Sequence, residues 1–474
     1  MLVWKKCLLG FGFGLASLGA AQAQSETDSS YDVVVVGAGL AGLATARTLS
    51  EHGVRSCLVL EARDRIGGRV HTTTIGDDGT FVELGAQWVH NLSSENKLRP
   101  AAAFLTVTSC DDDPGDDVAL FDADRRRWLT EAERDEGFAE WRGVLRAMDA
   151  MEPGATDESI VTTVSRVATA CPRNILHWCL QRVAIANGLD AGDLSAVVWR
   201  DQEDDGLKGE GVYDGSLTDA IVKPLAKGSN IRLGSPVNKI TANDDRVVVT
   251  MGDGKSVTCR HVVVAVPLGV LQASAITFTP PLPPTHTDAL SRFHSGQLNV
   301  VVLRFPRVFW PPERHFFGML GGDGYDDMTT ILNLTSTRSS QVPLLMFQVF
   351  GTAASDLETM TEAEVSGRAM RVVREMFGGN VPDPVACRTS SWSSDVHAHG
   401  SYTAAAVGAC ATDYATLAEP MVVGGKPRVL FAGEHTNGDH AGTMLGAYKS
   451  GVREGDRLAA LLGKKKTFHT KIEK

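Results

Sequence analysis

The feature that most narrows the fold lies near the start of the chain. Asp32-Val33-Val34-Val35-Val36 runs without a break into Gly37-Ala38-Gly39-Leu40-Ala41-Gly42. An unbroken apolar run of this kind suits a central strand of a parallel sheet, covered on both faces. A helical stretch follows and ends at Gly53, and a second strand, Val54 to Leu60, delivers Glu61 nineteen residues after Gly42. Strand, glycine turn, helix, strand and terminal acid together form a unit that binds a dinucleotide. The glycines let the backbone approach a pyrophosphate, whose charge is stabilised at the helix N-terminus. Glu61 can accept hydrogen bonds from ribose hydroxyls, and from the same place it would repel a ribose 2′-phosphate. The expectation is an α/β fold built on a Rossmann-like domain with a GxGxxG turn.

At 474 residues the chain has room for two or three domains. Hydrophobic residues at 43% and charged residues at 22% exclude a disordered or fibrous protein. The net charge of −11 argues against a nucleic-acid surface and favours cationic partners. Lys5 and Lys6 precede an apolar run, Leu8 to Ala21, and Ala21-Gln22-Ala23 supplies a small-residue cleavage signature. The run is shorter than the ~20 residues a membrane-spanning helix needs, so residues 1–23 read as a secretory signal peptide. Its removal takes the charge from −11 to −13 and leaves no other run of spanning length, so a secreted or periplasmic protein is expected. The seven remaining cysteines are widely spaced and form neither a disulfide framework nor a metal cluster, although Cys171 and Cys179 could pair. Asn91-Leu92-Ser93 and Asn333-Leu334-Thr335 are glycosylation sequons, meaningful only in a eukaryotic secretory host.

After Glu61 the chain reads Ala62-Arg63-Asp64-Arg65-Ile66-Gly67-Gly68-Arg69-Val70, with arginines placed to neutralise the diphosphate of a larger dinucleotide. Glu83-Leu84-Gly85-Ala86-Gln87-Trp88-Val89-His90 follows, and later Ala265-Val266-Pro267-Leu268-Gly269-Val270-Leu271, Phe305-Pro306-Arg307-Val308-Phe309-Trp310, Gly400-Ser401-Tyr402 and Phe431-Ala432-Gly433-Glu434-His435-Thr436. On these motifs, over nearly all of residues 31–463, the chain resembles the flavin-containing amine oxidase family of monoamine oxidases, polyamine oxidases and lysine-specific histone demethylases. The resemblance implies a discontinuous, two-dinucleotide-binding FAD domain (30–95, 225–285 and 390–463) and an inserted α+β substrate-binding domain (96–224 and 286–389). A basic tail, 464–474, ends the chain. Local patterning agrees. Arg246 to Met251, a Gly252-Asp253-Gly254 turn and Ser256 to Thr258 read as a hairpin, and His261 to Val266 as another strand. Arg428 to Ala432 reads as the last strand, before a helix with Met444, Ala447, Tyr448, Gly451, Gly455, Leu458, Ala459 and Leu462 on one face.

The resemblance also implies a chemistry. A neutral amine gives a hydride from its α-carbon to flavin N5, the imine is hydrolysed, and oxygen reoxidises the flavin with release of peroxide. An apolar aromatic pocket favours the neutral amine, because burial disfavours its charged form. By resemblance, Gly37, Gly39, Ala41, Gly42, Glu61, Arg63 and Arg69 fall on the adenosine diphosphate. Gly85, Ala86, Gln87 and Trp88 run beside the isoalloxazine, and the backbone of Val237 meets adenine. Glu434 lies on the ribityl-phosphate side, and the amides near Thr443 and Met444 face the pyrimidine ring.

Three departures matter. Ser401 stands where monoamine oxidases carry the flavin-linking cysteine, so the FAD is expected to be non-covalent. Tyr402 supplies one of the two aromatic walls that clasp the amine, but Thr443 replaces the other and widens the pocket. The family lysine that holds a water near N5 falls at Val300, which can neither hold that water nor move a proton; slower reoxidation or a different acceptor is expected. His90 follows the GAxWxH pattern of polyamine oxidases, where it either reaches the substrate or makes a supporting hydrogen bond.

The expectation is a secreted FAD-dependent amine oxidase of polyamine type. It acts on a small-molecule amine with O2 as acceptor and without a metal, and His90, Tyr402, Thr443 and Val300 lie at the reacting end. Two alternatives stay open. An L-amino-acid oxidase needs an arginine placed to clamp a carboxylate, and a FAD-binding protein with lost turnover would fit Val300 and Thr443. A histone demethylase is disfavoured by the signal peptide and by the missing long helical insertion. Asp201, Glu203, Asp204 and Asp205 form either a solvated loop or an attractor for a polyamine, and Asp111 to Asp117 reads as a solvated loop. His397 and His399, flanking the Gly400 turn, read as structural or exposed.

Overall fold

The computed structural model describes residues 30–90, 98, 104–107, 118–150, 157–168, 173–198, 210–321, 328–338 and 341–464. The expected signal peptide, the Asn91 sequon, Cys171, the acidic runs at 111–117 and 201–205, and all of the basic tail after Lys464 lie outside the described residues.

The valine run forms the strand Ser30–Val36, and Val33, Val34 and Val35 are completely buried. It pairs in parallel with Cys57–Leu60 on one side and with Ser256–Val264 on the other. That last strand is longer than the sequence pattern implies. The expected hairpin arm at Ser256 and the expected strand at His261 are one continuous element, because Cys259 and Arg260 continue the ladder instead of turning. Its first half closes the hairpin with Val247–Met251, and its second half pairs in parallel with Lys426–Phe431. Residues 231–279 and 421–431 thereby join the Ser30–Leu60 unit in one nine-stranded sheet.

A seven-stranded sheet is built from other stretches. Its order is Ala386–Thr389, Leu298–Arg304, Leu344–Phe350, Thr330–Asn333, Phe316–Leu320, Val118–Asp122 and Arg127–Trp128. The helix Arg173–Asn187 packs on it through Trp178, and a Cβ on Gly318 would collide with that ring. The pairing of Phe293–Ser295 with Thr403–Ala405 joins chain that follows the first sheet to chain that precedes its last strands. Asn333 sits at the end of a buried strand, where Trp310 Nε1 donates to its amide oxygen at 2.9 Å and its nitrogen donates to the Arg314 carbonyl at 2.8 Å. The second sequon is therefore a buried structural amide in the folded chain, which corrects its reading as a glycosylation site.

The helices Leu40–Glu51 and Met444–Leu461 pack face to face. Thr45 Oγ1 donates across the contact to the Gly451 carbonyl at 3.1 Å. A Cβ on Gly451 would run into the Ala41 carbonyl and reach 2.8 Å from the Ala44 Cβ. Alanine in place of a helical glycine gains ~1 kcal/mol of propensity, whereas overpacking costs about 1–3 kcal/mol. The obstacle is backbone, so the second effect should win. Gly451→Ala is expected to lower the urea midpoint of the protein at unchanged m-value; a midpoint at or above that of the parent would show that the helices can separate without cost.

Candidate active site

Residues of both sheets line one cavity of about 580 Å³. At one end, the strand Ser30–Val36 stops at Gly37, whose φ of +105° turns the chain, and whose amide donates to the Leu60 carbonyl at 2.7 Å. Gly37, Gly39 and Ala41 are in the wall, and a Cβ on Gly39 would meet nothing within 4 Å, so this turn faces open space. Gly42 is not in the wall. A Cβ there would strike the Gly37 carbonyl, so its role is to let the helix close on the turn.

Glu61 ends its strand in the wall, 3% exposed, with one carboxylate oxygen accepting from the Ala38 amide at 2.7 Å and the other from the Arg63 amide at 2.9 Å. Two fixed backbone donors leave each oxygen a further lone pair for a hydroxyl ligand. Arg63 lines the cavity and is paired with Asp395 at 2.6 Å. Val237 lines the same end, and a register shift between Val237 and Lys239 interrupts pairing with the neighbouring strand there.

Further along, Arg69 Nη1 donates to Glu434 Oε1 at 2.9 Å and to the Ser401 carbonyl at 2.9 Å. Glu434 also accepts from Thr403 Oγ1 and from the Gly442 amide, each at 2.9 Å. Burial by itself would push its carboxyl up, but the Arg69 charge and these donors hold it below the ordinary range, so Glu434 is ionised. Ser401 is buried, and its hydroxyl donates to the Gly296 carbonyl at 2.8 Å. Gly85, Ala86, Gln87 and Trp88 continue the wall, braced by Trp392 Nε1 donating to the Leu84 carbonyl at 2.9 Å. Thr443 caps the helix Met444–Leu461: its hydroxyl accepts from the Gly446 amide at 3.0 Å and donates to the His440 carbonyl at 2.8 Å. Thr443 and Met444 both line the cavity, so the positive end of that helix dipole opens on it.

The far end is an aromatic chamber. Trp88 and Phe316 stack with centroids 6.1 Å apart and planes 5° from parallel. The Tyr402 ring is in the wall, but its hydroxyl donates to the Ile185 carbonyl. Burial pushes that phenol far up, the Arg182 charge pulling weakly the other way, so Tyr402 stays neutral. His90 reaches the chamber from the strand Trp88–His90. Val300 lines it from the strand Leu298–Arg304, directly opposite Gln348 on the neighbouring strand. The cavity thus brings together every expected site residue except Gly42.

Sequence reasoning missed Arg182, Gln348, Phe316 and Trp392, all of which line the cavity. The one available signal was Arg182 itself, a charge between Leu180 and Val183 on an otherwise apolar helical face. His397 also belongs to the wall, beyond the structural or exposed place expected for it. Among the described residues no three His, Cys, Asp or Glu side chains converge as a metal site, and no helix is long and apolar enough to cross a membrane.

A cradle for a dinucleotide that opens into an aromatic chamber is the architecture of a redox enzyme that works through a bound nucleotide cofactor. The family model for flavin containing amine oxidoreductase matches residues 40–459. Polyamine oxidase 4 of Oryza sativa subsp. japonica is 31% identical over 457 residues, covering 90% of this chain and 88% of that protein. Polyamine oxidase 2 of Arabidopsis thaliana is 32% identical over 440 residues, with 89% and 87% covered. Lysine-specific histone demethylase 1 homolog 2 of Oryza sativa subsp. japonica is 30% identical over 463 residues, covering 95% of this chain and 60% of that protein. The chain belongs to the flavin-containing amine oxidase family and is an amine-acting flavin oxidoreductase with FAD as its cofactor.

The cavity fits that cofactor. Its cradle is open at Gly39, and a buried acceptor, Glu61, stands at the end of the strand beside it. Glu61→Ala removes a charged acceptor worth about 1.5–3 kcal/mol, so the FAD dissociation constant should rise on the order of 10- to 100-fold. Titration of apoprotein, followed by flavin fluorescence, measures it; an unchanged constant would remove Glu61 from the cofactor site.

Proposed function

We propose that this protein oxidises an aliphatic amine of the polyamine-oxidase kind at the carbon beside nitrogen. The observation that carries this reading is the single cavity running from the Glu61 cradle to the Trp88, Phe316 and Tyr402 chamber. The relatives named polyamine oxidases support the substrate class. In this reading the segments 30–95, 225–285 and 390–463 form the FAD-binding domain, with the GxGxxG turn at its centre. The segments 96–224 and 286–389 form the inserted substrate-binding domain, and the mature chain is exported.

When bound, FAD would supply the oxidising chemistry, taking a hydride from the carbon beside the amine nitrogen as the amine becomes an imine and loses a proton, and passing two electrons and two protons to O2 as H2O2. The protein's residues do the rest. Glu61 and the glycine turn hold the adenosine end, with Arg63 and Arg69 beside the phosphates. Val237 presents its backbone to the adenine. The Thr443-capped helix faces the flavin pyrimidine, where its dipole stabilises negative charge on reduction. The committed hydroxyl of Ser401 fits a non-covalent flavin. Trp88, Phe316 and Tyr402 hold the amine chain and exclude water, so the amine is favoured in the neutral form that can release a hydride. His90 contacts the amine or a water beside it.

Anaerobic mixing of the holoenzyme with spermine, spermidine, their acetylated forms, benzylamine and L-amino acids tests the reading through the flavin's visible absorption. Bleaching by an aliphatic amine, reversed by air with one peroxide per turnover, is the expected result. A flavin that stays yellow with every amine would overturn it.

Val300 generates a second prediction. General acid–base groups contribute about 10²-fold or more to a proton-coupled step, and a valine supplies none. Val300→Lys should speed reoxidation of the reduced flavin by O2 on the order of tenfold or more, read by stopped flow. An unchanged rate would mean that the valine does not limit oxygen chemistry.

A further inference from the structure

Asn299 is a polar side chain in an apolar place. The strand Leu298–Arg304 is buried on both faces: Val300 and Val302 pack in the cluster that holds Phe316, and Val301 and Leu303 pack on the opposite side with Phe347 and Val349. Alternation puts Asn299 on that second side, completely buried. A buried amide is costly unless it is hydrogen-bonded, and this one is saturated. Its Nδ2 donates to the Ala354 carbonyl at 3.0 Å and to Glu358 Oε1 at 2.7 Å. Its Oδ1 accepts from Ser390 Oγ at 3.0 Å and from the Trp392 amide at 3.2 Å. Ser390 Oγ in turn accepts from the Val300 amide at 2.9 Å.

Glu358 follows the helix Gly351–Leu357 and takes up the next two amides of the same stretch, Ser393 at 2.8 Å and Ser394 at 2.7 Å. Burial by itself would push its carboxyl up, but hydrogen bonds from Ser394, Asn299 and those amides hold it below the ordinary range, so it is ionised. Consecutive backbone N–H groups at 392, 393 and 394 are thus held by one buried amide and one carboxylate. The Gly400 amide donates to the Trp392 carbonyl at 2.8 Å, so residues 392–400 form a closed loop with Trp392 at its neck. Neither Asn299 nor Glu358 is in the cavity wall, but Trp392 is. Its Nε1 donates to the Leu84 carbonyl, and a Cβ on Gly85 would stand 3.1 Å from its ring. The indole therefore lies against the backbone that leads into Ala86, Gln87 and Trp88.

We infer that Asn299 and Glu358 are positioning residues for the flavin: by fixing the backbone at Trp392 they set the indole, and through it the stretch from Leu84 to Trp88, against the bound cofactor. A carboxylate facing backbone amides makes shorter and stronger bonds than a neutral acceptor does, so the neck of the loop is held firmly. The same amide, through Ser390, also ties the backbone of Val300, so one buried side chain on the seven-stranded sheet registers both ends of the cavity. The role does not depend on which amine is oxidised.

The test therefore reads the flavin and not turnover. FAD binding is measured by titrating apoprotein and following flavin fluorescence, and the environment of the bound flavin is read from visible-region circular dichroism of the holoenzyme. Glu358→Ala should raise the FAD dissociation constant on the order of tenfold, as expected for loss of charge-assisted bonds, and should alter the dichroism. Glu358→Gln, which keeps a side-chain oxygen for the amides, should recover part of both. Asn299→Asp keeps Oδ1 but sets a second carboxylate against Glu358, and should repeat the loss. Glu358 is only half-buried, so its variants are expected to fold, and their urea midpoints verify it. They carry the decision if Asn299→Asp does not fold.

A double-mutant cycle with Trp392→Leu separates positioning from general support, because the leucine has neither ring nor Nε1 donor to position. In that background Glu358→Ala should change the constant by less than about twofold, since residues that act through a shared partner are not additive. A tenfold loss in both backgrounds would overturn the inference. So would a constant and a dichroism in Glu358→Ala equal to the parent's, which would leave the pair as support for the sheet alone.

Discussion

The buried carboxylate of Glu434 is the knot of this molecule. Through Arg69, Thr403 and the Gly442 amide it joins the segment after the first dinucleotide unit to two segments more than 300 residues later. Arg69 passes the connection on to the Ser401 carbonyl, next to Tyr402. Removing one partner of a buried ion pair costs about 3–5 kcal/mol, because the remaining charge is stranded. The pair fixes the distance between the cradle, the chamber and the helix that begins at Met444, and those three define the site.

Charge is distributed along the cavity in a way that separates two tasks. At the cofactor end, Glu61 is fixed by backbone amides, Arg63 is matched by Asp395, and Arg69 is matched by Glu434. Little net charge is left there to repel a diphosphate, and the directional donors are kept. At the chamber end, aromatic and aliphatic walls lower the local dielectric and so magnify any formal charge. Arg182 is buried among those walls.

Much of the fold was legible because its signals are local. The valine run and the spaced glycines specify strand, turn and helix without reference to the rest of the chain, and the Gly252-Asp253-Gly254 turn does the same for its hairpin. The division of Ser256–Val264 into two strands failed for a physical reason. A strand that changes partner halfway, from antiparallel Val247–Met251 to parallel Lys426–Phe431, leaves no mark in its own residues. The Asn333 sequon misled for a related reason, since a three-residue pattern carries no information about burial.

The sequence by itself determined the strand, glycine turn and helix around Gly37 and the motifs of a flavin amine oxidase, because each depends on short-range backbone geometry. Tertiary structure alone decided what the other end of the cavity is. Arg182, Phe316 and Gln348 lie on a helix and two strands that no local pattern brings together, and only the packing of that helix on the seven-stranded sheet sets the guanidinium against its ring and its amide. The same holds for Thr443, whose hydroxyl is spent on capping its helix, and for Tyr402, whose hydroxyl is spent on the Ile185 carbonyl. Residue type announces what a side chain can do. Which partner it meets is settled by long-range packing.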